Sequence, residues 1–263
     1  MRASQGWASK NIRECDAVEV VRGIHLLSNF GANVYLLLGE RITLVDTGWP
    51  GNAKRILSYL SSLGYEPSDV SSIVLTHCHI DHCGGAAEVK ERTKATVAAH
   101  RNDVNCISGV MSYPTSRGIL GVALRIAKLF LRLHPVEVDL PLSDGMEVPN
   151  SGGLGVIYTP GHTAGSICLY HPKLKVLFSG DTVICEGGEV REPAESTSMN
   201  PSEVRLSVRK LSELDFESIL PGHGAPIVHD ASSRVRNLAA KLETRMWRVL
   251  KTEFKGGFSN FYI

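Results

Sequence analysis

One six-residue stretch, His77-Cys78-His79-Ile80-Asp81-His82, limits what this chain can fold into more than any other part of the sequence. It follows an apolar run at 72–75 that is typical of a buried strand, and it precedes a helical pattern at 86–91. Three imidazoles and one carboxylate therefore lie on a loop between a strand and a helix. Because buried polar groups need partners, and neutral imidazoles supply few to each other, such a cluster is a costly way to build an ordinary loop.

The spacing within this stretch indicates two metal positions. A span of this length can hardly point all four groups at one ion. Side-chain alternation sends His77 and His79 one way, and it sends Asp81 and His82 towards a second position nearby. The remaining histidines stand alone in the sequence and are interpreted as ordinary loop or core residues: His25, His100, His134, His171 and His229.

Three later polar residues repeat this pattern of an apolar strand followed by a sharp turn. His162 follows Thr159-Pro160-Gly161, Asp181 follows Ser179-Gly180, and His223 follows Pro221-Gly222. Since neighbouring strands end at one edge of a sheet, we expect these side chains to meet the histidine stretch. Five imidazoles and two carboxylates exceed what one tetrahedral ion needs and suit two ions that share a bridge. Nitrogen and oxygen donors favour zinc and also admit iron or manganese.

Composition excludes several other classes of protein. At 263 residues with a net charge of +1, the chain has no strong field that predicts a nucleic acid or an anionic membrane as partner. The first ten residues lack an apolar signal region, and no run of ~18 apolar residues predicts a membrane span. Six cysteines do not form a disulfide scaffold at this length, so we expect a cytoplasmic protein. Cys78 and Cys83 are alternative thiolate ligands.

Hydrophobic periodicity predicts alternating strands and helices, with no repeat, linker or break in composition. We therefore predict a single domain over 1–263, with a helical insert at about 100–134 and a C-terminal helix at about 230–251. The insert contains an amphipathic helix at 119–133, for which four roles are open: packing on the core, a lid over a pocket, the face of a homodimer or a membrane-surface anchor. Further strands are expected at 18–27, 33–38, 41–46, 95–98, 136–140, 146–148, 155–159, 166–170, 175–179 and 218–220, and further helices at 50–63 and 202–214.

Taken together, these motifs resemble those of the metallo-β-lactamase-fold hydrolases. That family is marked by His-x-His-x-Asp-His, then a later His, an Asp and a final His, and an early Asp motif resembles Leu44-Val45-Asp46-Thr47-Gly48. The resemblance covers about residues 18–228 and implies an α/β fold: a four-layer αβ/βα sandwich of two facing mixed sheets with helices outside. It also implies that the first metal binds His77, His79 and His162, and that the second binds Asp81, His82 and His223, with Asp181 as the bridge.

The family's chemistry implies a hydrolase that uses a hydroxide shared by two divalent cations. Asp81 would hold this nucleophile and shuttle a proton. Asp46 is expected to fix a ligand or the loop without touching metal, although a helix cap is equally consistent with its position. Three threonines beside the motifs are candidates either for hydrogen bonds to ligands or for simple turn residues: Thr76, Thr163 and Thr182.

Departures from the patterns of known subfamilies narrow the substrate to a small ester, thioester or lactone. Ile184 stands where acyl-homoserine lactonases typically have tyrosine, and Cys185-Glu186-Gly187-Gly188-Glu189 differs from the segment of glyoxalase II enzymes and persulfide dioxygenases. True β-lactamases usually lack the counterpart of His82 or of Asp181. The alternatives are a phosphodiesterase or nuclease, a β-lactam hydrolase, and a mononuclear iron oxygenase or sensor.

Overall fold

Runs of consecutive buried residues build the largest sheet, in which the strands lie in chain order. The computed structural model describes residues 17–111 and 134–256. Strands β1 to β4 pair antiparallel, whereas β4 to β7 pair parallel. The seven strands are β1 (Ala17–Val21), β2 (Ile24–Phe30), β3 (Ala32–Leu37), β4 (Ile42–Val45), β5 (Val70–Leu75), β6 (Thr96–His100) and β7 (Leu140–Leu142).

The second sheet has four strands in the order β13-β10-β9-β8, and β11 pairs with β12 as a separate hairpin. The strands are β8 (Gly155–Tyr158), β9 (Ile167–His171), β10 (Val176–Gly180), β11 (Ile184–Glu186), β12 (Glu189–Arg191) and β13 (Ser218–Pro221). The helices are α1 (Ala53–Ser62), α2 (Ile80–Cys83), α3 (Ala86–Thr93), α4 (Val104–Ile107), α5 (Pro201–Ser212) and α6 (Ala231–Gly256), with 3₁₀ turns at Pro67–Asp69 and Glu195–Thr197.

Each sheet buries both of its faces, and this produces four layers. In β3, Val34 and Leu36 pack towards α1 and α3, while Tyr35 contributes to the core between the sheets. The Tyr35 ring meets the edge of Phe178 from the second sheet at a centroid distance of 5.4 Å. Leu177, on the opposite face of β10, packs with α5 and α6. The predicted αβ/βα sandwich is therefore confirmed, and from this shared inner core we propose that the chain forms one domain.

Some predicted elements are wrong in detail. The strand expected at 18–27 is a hairpin, because Gly23 adopts a φ of 78° and reverses the chain between β1 and β2. The strand expected at 136–140 begins only at Leu140, because the Asp139 side chain takes over the ladder and accepts the Val97 amide at 2.8 Å. The strand expected at 146–148 is reduced to one bridge between Glu147 and Gly155.

The predicted insert is described only in part. Residue 100 ends β6, and α4 follows it, whereas residues 112–133, with the predicted helix at 119–133 and its homodimer alternative, lie outside the described residues. The predicted C-terminal helix is α6. No helix in the described part of the chain is long and apolar enough to cross a membrane.

Candidate metal centre

The loops that follow β4, β5 and β6 leave the larger sheet at one edge, because these strands run parallel. The loop between β8 and β9 and the loops after β10 and β13 supply the later candidates. The two sheets are joined at this edge by backbone hydrogen bonds, from Ile167 to Thr76 at 2.9 Å and from Asn33 to Gly222 at 2.7 Å. All loops that carry predicted ligands therefore converge on one region.

The single turn of α2 divides the histidine stretch into two halves. His79 is the N-cap of α2, and Asp81 and His82 lie inside the turn. His77 and His79, before the turn, lie near His162, whereas Asp81 and His82, within the turn, lie near His223. The backbone carbonyl of His82 accepts hydrogen bonds from the amide and the hydroxyl of Thr47 at 2.8 and 2.9 Å, which fixes the turn against the end of β4.

The first ligand group contains three imidazoles, those of His77, His79 and His162. Nδ1 of His79 lies 3.1 Å from Nε2 of His77 and 3.0 Å from Nε2 of His162. Nitrogens bound tetrahedrally to zinc lie about 3.3 Å apart, as follows from Zn–N bonds of ~2.05 Å. Behind the rings, Nδ1 of His77 lies 3.1 Å from Thr76 Oγ1, and Nδ1 of His162 lies 3.3 Å from Ser198 Oγ. These contacts orient two of the three rings.

The second ligand group contains Asp81, His82 and His223, with Asp181 beside it. Nε2 of His223 lies 3.2 Å from Asp81 Oδ2, and its Nδ1 lies 2.9 Å from Asp181 Oδ1. Asp181 also reaches the first group, because its Oδ2 is 3.4 Å from Nε2 of His162. The structure thus brings all seven predicted residues together and places Asp181 between the groups. Their binding of ions stays a prediction.

One buried imidazole nitrogen of the site has no hydrogen-bond partner among the described residues. Nε2 of His82 is buried and forms no hydrogen bond among the described residues, and the nearest carboxylate oxygen, Asp181 Oδ1, is 3.6 Å away. An unsatisfied buried polar atom costs ~1–3 kcal/mol. A divalent cation between His82 and its neighbours would satisfy this nitrogen. Together with the nitrogen and oxygen donor set, this shows that the residues present fit divalent metal ions.

Two rings of the first group, those of His77 and His79, are kept neutral by their surroundings. Burial, followed by the neighbouring imidazoles of His82, His79 and His162, lowers the pKa of His77 well below its ordinary value. Burial and the nearby His162 lower the pKa of His79 to about 3. Neutral imidazoles are the form that binds metal, so these rings need not lose protons at neutral pH.

The second group is held by opposite charges. Burial disfavours a charged His82, but Asp181 and Asp46 outweigh it and raise the pKa of that imidazole well above its ordinary value. Burial likewise opposes charge on His223, yet hydrogen bonds to Asp181 and Asp81 raise its pKa to about 9. Burial would raise the pKa of Asp81, whereas the hydrogen bond with His223 lowers it to about 2. Attraction between these imidazoles and carboxylates therefore holds the second group together.

Asp46 forms hydrogen bonds with a ligand of the second group and with the loop that carries the histidine stretch. Its Oδ2 lies 2.8 Å from Nδ1 of His82 and accepts the hydroxyl of Thr76 at 2.8 Å, while its Oδ1 accepts the Thr76 amide at 2.8 Å. The residue itself has a φ of 60°, a left-handed conformation that Asp and Asn tolerate better than other side chains. The predicted role of Asp46, holding a ligand in place, agrees with these contacts.

The neighbouring threonines and cysteines have different roles from one another. Thr76 bonds a ligand ring, whereas Thr163 donates to Asp103 at 2.6 Å and Thr182 donates to Thr159. The two cysteines beside the histidines do not join any ligand group in the described part of the chain. A hydrogen bond with Cys106, together with burial, raises the pKa of Cys78 well above its ordinary value, which disfavours a thiolate at this position. The thiolate alternative for the two cysteines stays a prediction.

Sequence reasoning missed two supporting residues. Asp103, which is 2% exposed, binds the loops of the first group from behind. Asn33 donates through Nδ2 to the carbonyls of Pro221 and Gly224 at 2.9 and 2.7 Å, which holds the His223 loop. Asp103 follows a strand after three residues, so the pattern that identified the ligands contained a signal for it. Asn33 lies within a strand and had none.

The family comparison agrees with this geometry. The family model described as the metallo-beta-lactamase superfamily matches residues 27–223, so the chain belongs to that superfamily and is a metallo-hydrolase by family. The probable metallo-hydrolase YflN of Bacillus subtilis is 28% identical over 240 residues, covering 82% of this chain and 89% of YflN. The atrochrysone carboxyl ACP thioesterase of Aspergillus fumigatus is 26% identical, covering 84% of this chain and 59% of the thioesterase.

Solved structures show the same fold. The metallo-beta-lactamase family protein TTHA1429 of Thermus thermophilus superposes with a TM-score of 0.65 at 26% identity, covering 89% of this chain and 82% of that chain. TTHA1623, solved in a di-iron-bound form, superposes with a TM-score of 0.62 at 27% identity, covering 80% of this chain and 96% of that chain. Both likenesses extend over most of the sandwich.

Proposed function

We propose that this chain is a dinuclear metal-dependent hydrolase that cleaves a small ester, thioester or lactone. The observation that carries the proposal is the convergence of seven donor residues into three overlapping groups, within each of which the ligand atoms lie within 4.8 Å of one another. When bound, two divalent cations would acidify a water molecule near neutral pH and polarise the carbonyl oxygen of the substrate.

The residues divide into two sets of ligands around a shared acid. His77, His79 and His162 would hold the first cation. Asp81, His82 and His223 would hold the second. Asp181 would serve both, which its contacts with His162 and His223 support. Zinc is the cation that we propose for this donor set, and the di-iron-bound neighbour supports iron as the alternative.

Asp81 is the proposed proton carrier. Its carboxylate is 24% exposed, so it faces the open side of the site, whereas His77 and His82 are almost fully buried. Because the pKa of Asp81 is held at about 2, its carboxylate is ionised at neutral pH. Because a pKa of about 2 makes this carboxylate a weak base, the proton transfer depends on cations that acidify the attacking water; Asp81 would take that proton and return it to the leaving oxygen or sulfur.

The open side of the site supports a small substrate. The His223 side chain is 39% exposed, and Met199, whose amide donates to the carbonyl of His162 at 3.1 Å, is 57% exposed. We propose that the Met199 side chain and the ring of His223 flank the entrance to the site, where an apolar side chain would suit the acyl group next to the scissile bond. Among the three substrate classes, the Aspergillus thioesterase supports thioesters.

We also propose a cytoplasmic location and a small-molecule substrate as the partner. All five cysteines of the described residues are free and buried, as is usual for proteins of reducing compartments.

The proposal is tested by metal analysis and a substrate panel. We expect about two divalent ions per purified chain, and turnover of a thioester, ester or lactone. The panel includes a β-lactam and a phosphodiester, and turnover of only one of these would replace the proposed substrate class. One iron per chain with oxygen consumption, or no bound metal at all, would contradict the hydrolase.

A further inference from the structure

Asp103 is a buried carboxylate that does not cap the helix it precedes. It occupies the N-cap position of α4, where an aspartate ordinarily accepts amides of the first helical turn, but its side chain makes no capping bond. Instead, Oδ2 accepts the amide of Cys78 at 2.9 Å and the hydroxyl of Thr163 at 2.6 Å, and Oδ1 accepts the amide of Gly165 at 2.8 Å. All of its bonds therefore cross to other loops.

The three donors belong to the two loops that carry the first ligand group. Cys78 lies between His77 and His79, and Thr163 follows His162. One side chain thus connects both loops. The contact is close, because a Cβ added at Gly165 would lie 2.5 Å from Cγ of Asp103.

An amide could not replace this carboxylate. Burying a charged group is costly unless its oxygens are hydrogen-bonded, and here both oxygens of Asp103 accept bonds. In Asp103→Asn, one oxygen becomes an NH₂ group that would face an N–H or O–H donor. The side chain would keep its shape and lose at least one connection between the loops.

We propose that Asp103 is a positioning residue that sets the separation of His77, His79 and His162, and thereby the affinity of this group for a divalent cation. The inference rests on the proposed metal site. The second group is supported by Asp46 and does not touch Asp103 through any hydrogen bond of the described residues. The effect of Asp103 is therefore expected on one of two cations.

The test is a calorimetric titration of metal-free protein with zinc. For Asp103→Asn, we expect one of two equivalents to bind ~10–100-fold more weakly, as is typical when a residue that supports a ligand is changed, and the other to keep its affinity. His79→Gln identifies the equivalent of the first group. The double variant His79→Gln with Asp103→Asn should lose little beyond His79→Gln alone, because both changes act on the same cation.

Two further variants separate positioning from general stability. Asp139→Asn changes a carboxylate that also accepts a backbone amide, that of Val97, but lies outside the metal centre, so both zinc equivalents should bind as before. Thr163→Val removes one of the three donors to Asp103 and should weaken the same equivalent by a smaller factor, even if Asp103→Asn fails to fold. Unchanged affinity in both Asp103→Asn and Thr163→Val would overturn the inference, whereas a wild-type protein that binds neither zinc nor ferrous iron, titrated in the same way, would instead overturn the proposed function.

Discussion

The two halves of the metal centre are positioned by different forces. The first group consists of three imidazoles, and the support from Asp103 reaches it only through backbone amides and one threonine. The second group contains acids, and Asp46 bonds directly to the ring of His82. The comparison teaches that hydrogen bonds between loops hold the imidazole half in place, whereas charge pairing among the ligands themselves holds the acidic half.

The largest effect is expected where the halves meet. Asp181→Ala removes the carboxylate that contacts His162 in one half and His223 in the other. We expect kcat/KM to fall by at least ~10³-fold, equivalent to ~4 kcal/mol of transition-state stabilisation, with loss of bound metal. Steady-state kinetics and metal analysis of the purified variant measure both. Unaltered turnover would count against a centre in which both halves act together.

A smaller effect is expected from crowding the same junction. A Cβ at Gly222 would lie 2.4 Å from Asp181 Oδ1 and 2.6 Å from Cε1 of His82. Gly222→Ala should therefore displace both side chains and reduce kcat/KM by ~100-fold, as misplacement of about 1 Å can. Gly155→Ala is the control, because its Cβ would meet only Tyr170 O at an ordinary 3.6 Å. Equal activities of the two variants would show that the junction tolerates movement.

The variant Asp46→Asn tests whether Asp46 acts mainly on the second ligand group, as Asp103 is proposed to act on the first. Asparagine tolerates the left-handed backbone at this position, so the change removes the carboxylate without adding strain. We expect zinc affinity to fall by ~10–100-fold, mainly in the second group through His82, and to a lesser degree in the first through Thr76. The same calorimetric titration as for Asp103→Asn applies. A loss confined to the first group would reverse the assignment of supports.

The smallest effect is expected outside the centre. Burial opposes ionisation of Asp139, but hydrogen bonds from Lys90 and the Val97 amide outweigh it and lower its pKa. This carboxylate therefore contributes stability above its unfolded pKa of ~3.9, and the contribution disappears as the pH falls through the lower folded value. Since Asp139 is 34% exposed and screened by solvent, Asp139→Asn should cost at most ~1 kcal/mol at pH 7.

Denaturant unfolding of the two metal-free proteins at pH 7 and at pH 2 measures this difference. The stabilities of wild type and Asp139→Asn should converge at the lower pH. A gap that persists there would mean that the asparagine disturbs the loop by shape and not by charge.

The sequence predicts the candidate metal ligands better than it predicts the residues that hold those ligands in place. The seven candidates share a signal, a polar residue at the end of an apolar strand, and the topology brings all such ends to one edge. Asp103 also follows an apolar strand, but its three donors lie 25, 60 and 62 residues away in sequence, and no sequence pattern predicts those contacts. Asn33 escaped notice because its partners, the carbonyls around His223, are nearly two hundred residues away in sequence. Contacts of that range depend on how the sheets pack.

The misplaced strands have a local cause. Gly23 inside an alternating pattern fits both one long strand and a hairpin, and only pairing between β1 and β2 decides between them. Val136 and Val138 alternate like a strand, yet they are buried against the helices of the larger sheet without a strand partner among the described residues. Periodicity reports which side chains are buried, and hydrogen-bond partners decide which segments are strands.

His223 enters the site from β13, the last strand that the structure describes, whereas the first candidate ligand follows β5. A pair of cations held by these ligands would therefore link the N-terminal half of the polypeptide to its C-terminal half. A nascent chain on the ribosome could present only a partial chelate until that final strand had emerged. Metal binding would then coincide with the completion of folding. Because the cations would bind the folded chain and not the unfolded one, free cation would raise the free energy of unfolding.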